Sequence, residues 1–116
     1  MNHRLVSVSW AGLLLIVALF LTAPLHAQND TASLFKSKCA PCHGEDGSGK
    51  TKMGAALKVP DQRSEDVQKL SDEELIGVVT NGKNGKMPAW GKTLKPDEIK
   101  GLIGYVRLLG SKDKKN

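Results

Sequence analysis

The sequence predicts an all-α fold of a few short helices. Apolar residues recur at helical spacing in residues 75–79 and again in residues 99–106. Ser71 and Glu74 stand at the two positions of a capping box, directly ahead of the first of these segments. The 116 residues contain neither an internal repeat nor a run of alternating polar and apolar residues that would indicate a strand.

One further helix is predicted, ahead of these two. It covers residues 31–38, with Asn29 or Asp30 as its cap and Leu34 and Phe35 on its buried face. A short helical turn is expected after Ser64, and a glycine-rich loop is expected over residues 44–54, followed by an extended apolar patch.

The last helix is predicted to begin at Pro96. Leu94 and Ile99 have the spacing of a hydrophobic staple, and proline is typical of a first helical position. Gly110 is typical of the residue just beyond a helix C-terminus, so the helix is expected to end there.

Residues 1–27 are predicted to be a secretory signal peptide. A basic start, an uncharged apolar run and the small residue Ala27 fit that pattern. Leu25 is larger than is usual three residues from the cleavage site, which leaves an uncleaved membrane anchor as the alternative. Cleavage leaves a domain over residues 28–110 and a basic tail over 111–116 that is expected to be disordered.

The chain's two cysteines stand in one motif, C-x-x-C followed directly by histidine. This is the spacing of a c-type haem attachment site. Two thiols add across the haem vinyl groups, and the adjacent ring reaches the iron. We therefore expect Cys39 and Cys42 to bind one haem c covalently, and His43 to be an axial ligand of its iron. The other ring nitrogen of His43 is expected to donate to a backbone carbonyl.

Three other interpretations of the motif compete. A dithiol oxidoreductase belongs in a βαβ context, whereas this chain is predicted to be helical. A structural zinc site needs four ligands, and outside the motif only His3 and His26 remain. A structural disulfide leaves the adjacent His43 unexplained.

A second axial ligand is expected among the methionines. Met53 follows His43 by ten residues, whereas Met87 follows it by 44, far enough for the chain to pass around the haem. Met87 also stands in a loop with glycine and proline, where a methionine is less expected as core filler. Met87 is therefore the predicted ligand. If it dissociates easily, a haem peroxidase or a gas sensor becomes the alternative function.

Residues 31–109 resemble the small bacterial mono-haem class I cytochromes c. The resemblance depends on the C-x-x-C-H-G segment, on the loop KMPAW at residues 86–90 and on residues 102–105 of the last helix. It implies the class I cytochrome c fold, in which three or four short helices wrap one covalent haem. Many members also carry a proline after the glycine-rich loop, whose carbonyl accepts the N–H of the proximal histidine. Ala55 and Ala56 stand in that region here.

The resemblance also implies a crossing of the first and last helices. Phe35 and Thr31 fall on one side of that crossing, with Thr31 in place of the usual glycine, and Leu102 and Tyr105 fall on the other. The residues predicted to pack at the haem crevice are Phe35, Pro88, Trp90, Leu102 and Tyr105.

These observations predict a one-electron carrier and not an enzyme. Histidine and methionine as axial ligands raise the reduction potential of a haem, and an iron with both axial positions filled does not readily bind oxygen or peroxide. Redox proteins are the expected partners of a monomeric chain. A periplasmic location is expected, because in this family haem is attached outside the cytoplasm; membrane attachment would follow only from an uncleaved N-terminus.

The formal charge of +5 is spread along the chain and forms no stripe of the kind that binds nucleic acid. Four lysines bracket Met87 and are predicted to attract an acidic partner, with an ordinary solvated face as the alternative. These are Lys83, Lys86, Lys92 and Lys95.

Overall fold

The computed structural model describes residues 25–116, and side chains from residue 30 onward. The predicted signal peptide therefore lies, up to residue 24, outside the described residues. Six helices follow one another in the described part: α1 Leu25–Lys38, α2 Ala40–His43, α3 Lys52–Leu57, α4 Glu65–Gln68, α5 Asp72–Asn81 and α6 Pro96–Asp113. Residues 25–116 contain no strand beyond an isolated bridge at 83 and 87. None of these helices is long and apolar enough to cross a bilayer.

Helices α1 and α6 pack against each other and form the main core. Phe35 is only 2% exposed, and its ring centroid lies 5.0 Å from that of Tyr105. Leu102 is buried in the same cluster. A Cβ atom on Gly101 would lie 3.1 Å from Thr31 Oγ1. The predicted crossing is therefore present, and Gly101 on α6 is the small residue that faces Thr31 on α1.

Helix α6 does not end at Gly110, so that prediction is wrong. Gly110 is buried inside the helix, and a Cβ there would lie 2.5 Å from Cδ of Gln68. This glycine gives space to a side chain instead of stopping a helix. Residues 111–113, predicted to begin a disordered tail, are helical, and Arg63 donates to the Asp113 carboxylate at 2.8 Å.

Helix α5 begins where the capping box predicts. The Ser71 N–H donates to the Glu74 carboxylate at 2.7 Å, and the Glu74 N–H donates to the Ser71 hydroxyl at 3.1 Å. The helix ends before Gly82, whose φ is 75°. Arg107 on α6 donates to the Leu70 carbonyl and to Asp72, which fixes the chain at the start of α5 against α6.

Part of the predicted glycine-rich loop is helical. Helix α3 begins after Thr51, whose hydroxyl accepts the Gly54 N–H at 2.8 Å. Leu57, predicted to lie in an extended patch, ends this helix. The prediction missed α3 because a segment of six residues that contains Gly54 is too short for apolar spacing to identify a helix. Helix α4 begins directly after Ser64, as predicted.

Candidate functional site

The C-x-x-C-H motif forms a helical turn that directly prolongs α1. The Cys39 N–H donates to the Phe35 carbonyl at 2.8 Å, and the His43 N–H donates to the Cys39 carbonyl at 2.9 Å. Gly44, with φ 78°, ends the turn, and its N–H donates to the Ala40 carbonyl at 2.8 Å. The motif therefore holds a fixed position relative to the main core.

A large apolar cavity lies beside this turn. Its volume is about 250 Å³, and it opens to solvent on one side. Cys39, Cys42 and His43 line it, and so does Met87 from the loop after α5. Met53 does not line it and is 51% exposed. The fold thus brings the four predicted haem-binding residues to one cavity and leaves the competing methionine at the surface.

Nine aliphatic side chains line the cavity, and six of them are only partly buried. The partly buried ones are Leu57, Val59, Val67, Leu70, Val78 and Val79. Helix α6 adds two buried side chains, Ile103 and Val106. A large apolar group in the cavity would remove this surface from water, which is favourable by about 25 cal/mol per Å².

The loop that carries Met87 is held by backbone contacts. Lys83 and Met87 exchange two N–H to carbonyl bonds of 3.1 Å each. A Cβ on Gly82 would lie only 2.5 Å from the Met87 carbonyl oxygen, so this close turn needs glycine. After the turn, the Trp90 N–H donates to the Val79 carbonyl at 2.9 Å and ties the loop to the end of α5.

The imidazole of His43 is suited to binding a metal. Burial lowers its pKa, so the ring is neutral at neutral pH. Its Nδ1 atom is buried, and among the described residues it has no hydrogen-bond partner. The expected bond from the ring to a backbone carbonyl is therefore absent from the described structure. The Ala55 carbonyl, in the region where the family carries its proline, accepts the Lys58 N–H instead.

The thiols do not have the character of a dithiol redox pair. Burial raises the pKa of the Cys39 thiol to about 11, and the neighbouring Cys42 adds to the rise. Catalytic dithiols instead need a lowered pKa, because the thiolate is the nucleophile. In the described part of the chain, no three His, Cys, Asp or Glu side chains cluster as a metal site of their own. The raised pKa of Cys39 disfavours the dithiol interpretation.

Two thiols, one imidazole and one thioether around an apolar cavity fit a c-type haem. Histidine and methionine are the axial pair of cytochromes c. Both thiols border the same cavity as the imidazole, as covalent attachment beside an axial ligand requires.

The remaining predicted site residues fall into two groups. Pro88 and Trp90 line the cavity, whereas Phe35, Leu102 and Tyr105 do not line it and pack between α1 and α6. Sequence reasoning assigned Ile103 and Val106 only to the apolar face of α6, although both also line the cavity. Apolar spacing predicts that this face of α6 is buried, but it does not predict which of its residues border the cavity.

The four lysines also divide. All four are exposed, but only Lys83 and Lys86 line the cavity. The structure therefore places two of the four predicted docking lysines at the cavity itself.

Comparison with known families identifies a match over most of the chain. Residues 26–106 match the family model described as cytochrome C oxidase, cbb3-type, subunit III. The cbb3-type cytochrome c oxidase subunit FixP of Azorhizobium caulinodans is 36% identical over 81 residues, covering 68% of this chain and 26% of that protein. The chain thus spans about a quarter of the length of the first curated relatives it matches.

A second relative matches along nearly its whole length. Cytochrome c6 of Nostoc is 33% identical over 111 residues, which is 95% of each chain. Among solved structures, the c-type cytochrome KustC0563 is similar with a TM-score of 0.64 and 31% identity, covering 68% of this chain and 95% of that one. A mutant of the same cytochrome gives a TM-score of 0.62 at 34% identity, covering 67% of this chain and 95% of that one.

Proposed function

Since this chain belongs to the c-type cytochromes, whose members carry covalently bound haem c, we propose that it carries single electrons between redox proteins outside the cytoplasm. One observation supports this most strongly. Met87 lines the same cavity as Cys39, Cys42 and His43, although it stands 44 residues after His43 in the chain. Only the folded chain brings this complete set of haem-binding groups together.

The residues have distinct roles in the proposal. Cys39 and Cys42 anchor the group covalently, and His43 and Met87 bind its iron from the protein. When bound, the haem supplies a one-electron redox couple. The aliphatic wall excludes water from the cavity, and a dry surrounding is one of the factors that set a reduction potential.

The cavity wall supports electron transfer over catalysis. Asp and Glu are absent from its lining among the described residues. Acid–base chemistry on a substrate would need a positioned group with a pKa near the working pH. His43 is the lining residue nearest to that description, and in this proposal it would hold the iron together with Met87. Ligation by both side chains would favour one-electron transfer over reaction with a bound substrate.

The partners and location belong to the same proposal. Relatives include subunits of cbb3-type oxidases and a cytochrome c6. By that likeness, the chain exchanges electrons with other redox proteins in the periplasm, as a monomer that is free or held by its N-terminal segment. Lys83 and Lys86 at the cavity, with exposed Lys92 and Lys95 beyond it, would attract an acidic face on such a partner.

A visible spectrum of protein exported by a cytochrome-maturing host tests the proposal. The oxidised form should show the weak band near the red end that accompanies methionine ligation, and the Met87→Ala variant should lack it. Met53→Ala is the matched control, because Met53 is exposed and outside the cavity, and it should keep the band.

Two results would contradict this assignment. One is loss of the band in Met53→Ala with retention in Met87→Ala. The other is prompt carbon monoxide binding by the reduced wild-type protein, which would show an open iron position and favour a sensor or a peroxidase.

A further inference from the structure

The ring of His43 lacks the hydrogen bond that usually orients a metal-binding histidine. Its Nδ1 atom is buried without a partner among the described residues. In most metal sites, the second nitrogen of the ligand donates to a carbonyl, a carboxylate or water, and that bond fixes the ring. Here the ring orientation must depend more heavily on the backbone that carries it.

That backbone is held by a side chain from the following segment. The Thr51 hydroxyl donates to the Cys42 carbonyl at 3.1 Å and accepts the Gly54 N–H at 2.8 Å. The Cys42 carbonyl belongs to the peptide bond that leads into His43. One hydroxyl therefore joins the peptide between a predicted thioether residue and a predicted iron ligand to the first turn of α3.

The backbone around this hydrogen bond is closely packed. A Cβ atom on Gly54 would lie 2.5 Å from the Cys42 carbonyl oxygen and 2.2 Å from that of Gly49. The Gly49 N–H in turn donates to the His43 carbonyl at 2.7 Å. The peptide between Cys42 and His43 is thus enclosed by α3 and the glycine-rich loop, and a rotation would break the Thr51 bond or collide with Gly54.

We propose that Thr51 is a positioning residue for the axial imidazole. Its hydroxyl fixes the Cys42–His43 peptide and thereby sets the plane of the His43 ring relative to the iron. This inference rests on the proposed function, since it takes His43 as the ligand. In most metal sites a hydrogen bond made by the histidine ring itself orients the ring. In this proposal the Thr51 hydroxyl has that role, through the backbone.

Three variants of Thr51 separate this role from simple helix capping. Thr51→Ser keeps the donor and the acceptor. Thr51→Val keeps the shape and removes both. Thr51→Asp still accepts the Gly54 N–H as a helix cap but has no proton for the Cys42 carbonyl. Ser71→Ala is the matched control, because it removes the cap of α5 and contacts no residue of the motif.

The test measures two properties of the ferric holoprotein, its melting temperature and the paramagnetically shifted proton resonances of the haem methyl groups. The spread of these chemical shifts depends on the orientation of the axial imidazole plane. We expect Thr51→Val and Thr51→Asp to change the spread and Thr51→Ser to keep it. Ser71→Ala should lower the melting temperature without changing the spread. Wild-type spread in both Thr51→Val and Thr51→Asp would overturn the inference, even if their melting temperatures fall.

The wild-type spectrum distinguishes this inference from the proposed function. Shifted haem-methyl resonances in the wild type, unaffected by Thr51→Val, overturn the positioning role alone. Their absence from the wild type overturns the proposed function and the inference with it.

Discussion

The two sides of the molecule are built differently. On one side, α1 and α6 pack directly on each other, with Phe35, Leu102 and Leu109 almost fully buried. On the other side, the aliphatic residues of α3, α4 and α5 are mostly half-buried and surround the cavity. The first side is held together by protein contacts alone. The second presents apolar surface that only a cofactor would cover, so its stability is expected to depend on haem.

Removing the haem should lower the stability of the fold more than any other change. The Cys39→Ala, Cys42→Ala double variant cannot bind haem covalently, and without it the half-buried aliphatic residues around the cavity lose the group that would cover them. We expect no cooperative thermal transition by calorimetry. Residual hydrogen-exchange protection should be confined to α1 and α6. A sharp transition with native-like helicity in this variant would contradict the comparison.

The next largest loss of stability is expected when a side chain at the centre of the α1–α6 core is shortened. Phe35 is 2% exposed, and replacing it with alanine leaves a cavity, which costs about 3–5 kcal/mol in such positions. Leu108→Ala on the same helix pair is the control, because Leu108 is 45% exposed and its loss should cost under about 1 kcal/mol. Chemical denaturation of both holoproteins measures the difference, and equal costs would show that the two helices do not form the core.

Alanine substitution at two glycines of α6, Gly110 and Gly104, should change the stability of the holoprotein in opposite directions. A Cβ at Gly110 meets Gln68, whose amide donates to the Gln62 and Val106 carbonyls at 2.7 and 3.2 Å. Displacing that amide should destabilise the holoprotein by about 1 kcal/mol net. Gly104 has nothing within 4 Å of its Cβ position, so Gly104→Ala should stabilise by roughly 0.5–1 kcal/mol. Melting temperatures that shift in the same direction would refute the assigned role of Gly110.

The smallest expected effect is on the rate of electron transfer, when two of the lysines that line the cavity lose their charge. Replacing Lys83 and Lys86 with glutamine should slow electron transfer to hexacyanoferrate(III) several-fold at low ionic strength, because positive charge speeds encounter with an anion. The difference should vanish at high salt, where charges are screened. Glutamine at Lys114 and Lys115, which are exposed at the C-terminus, is the control. Equal slowing by both pairs would indicate an effect of net charge alone.

Local rules predicted the parts of the fold that local interactions determine. The Ser71 capping box placed the start of α5, and the staple of Leu94 and Ile99 with Pro96 placed the start of α6. The motif and the loop position of Met87 were enough to predict four residues that line one cavity.

The errors arose where a residue's role depends on distant parts of the chain. Gly110 has the residue type of a helix stop, but it gives space to Gln68, 42 positions earlier. Helix α3 is only six residues long, and Gly54 in its first turn packs closely against the backbone of Cys42, 12 positions earlier. Neither contact can be derived from residue types and spacing alone.

The intact mass of the purified protein, secreted by a host that matures c-type cytochromes and analysed under denaturing conditions, tests the central claim most directly. Covalent attachment at Cys39 and Cys42 predicts the polypeptide mass plus one haem, and the mass of the polypeptide alone for the Cys39→Ala, Cys42→Ala variant. A wild-type protein with only the polypeptide mass would contradict the account.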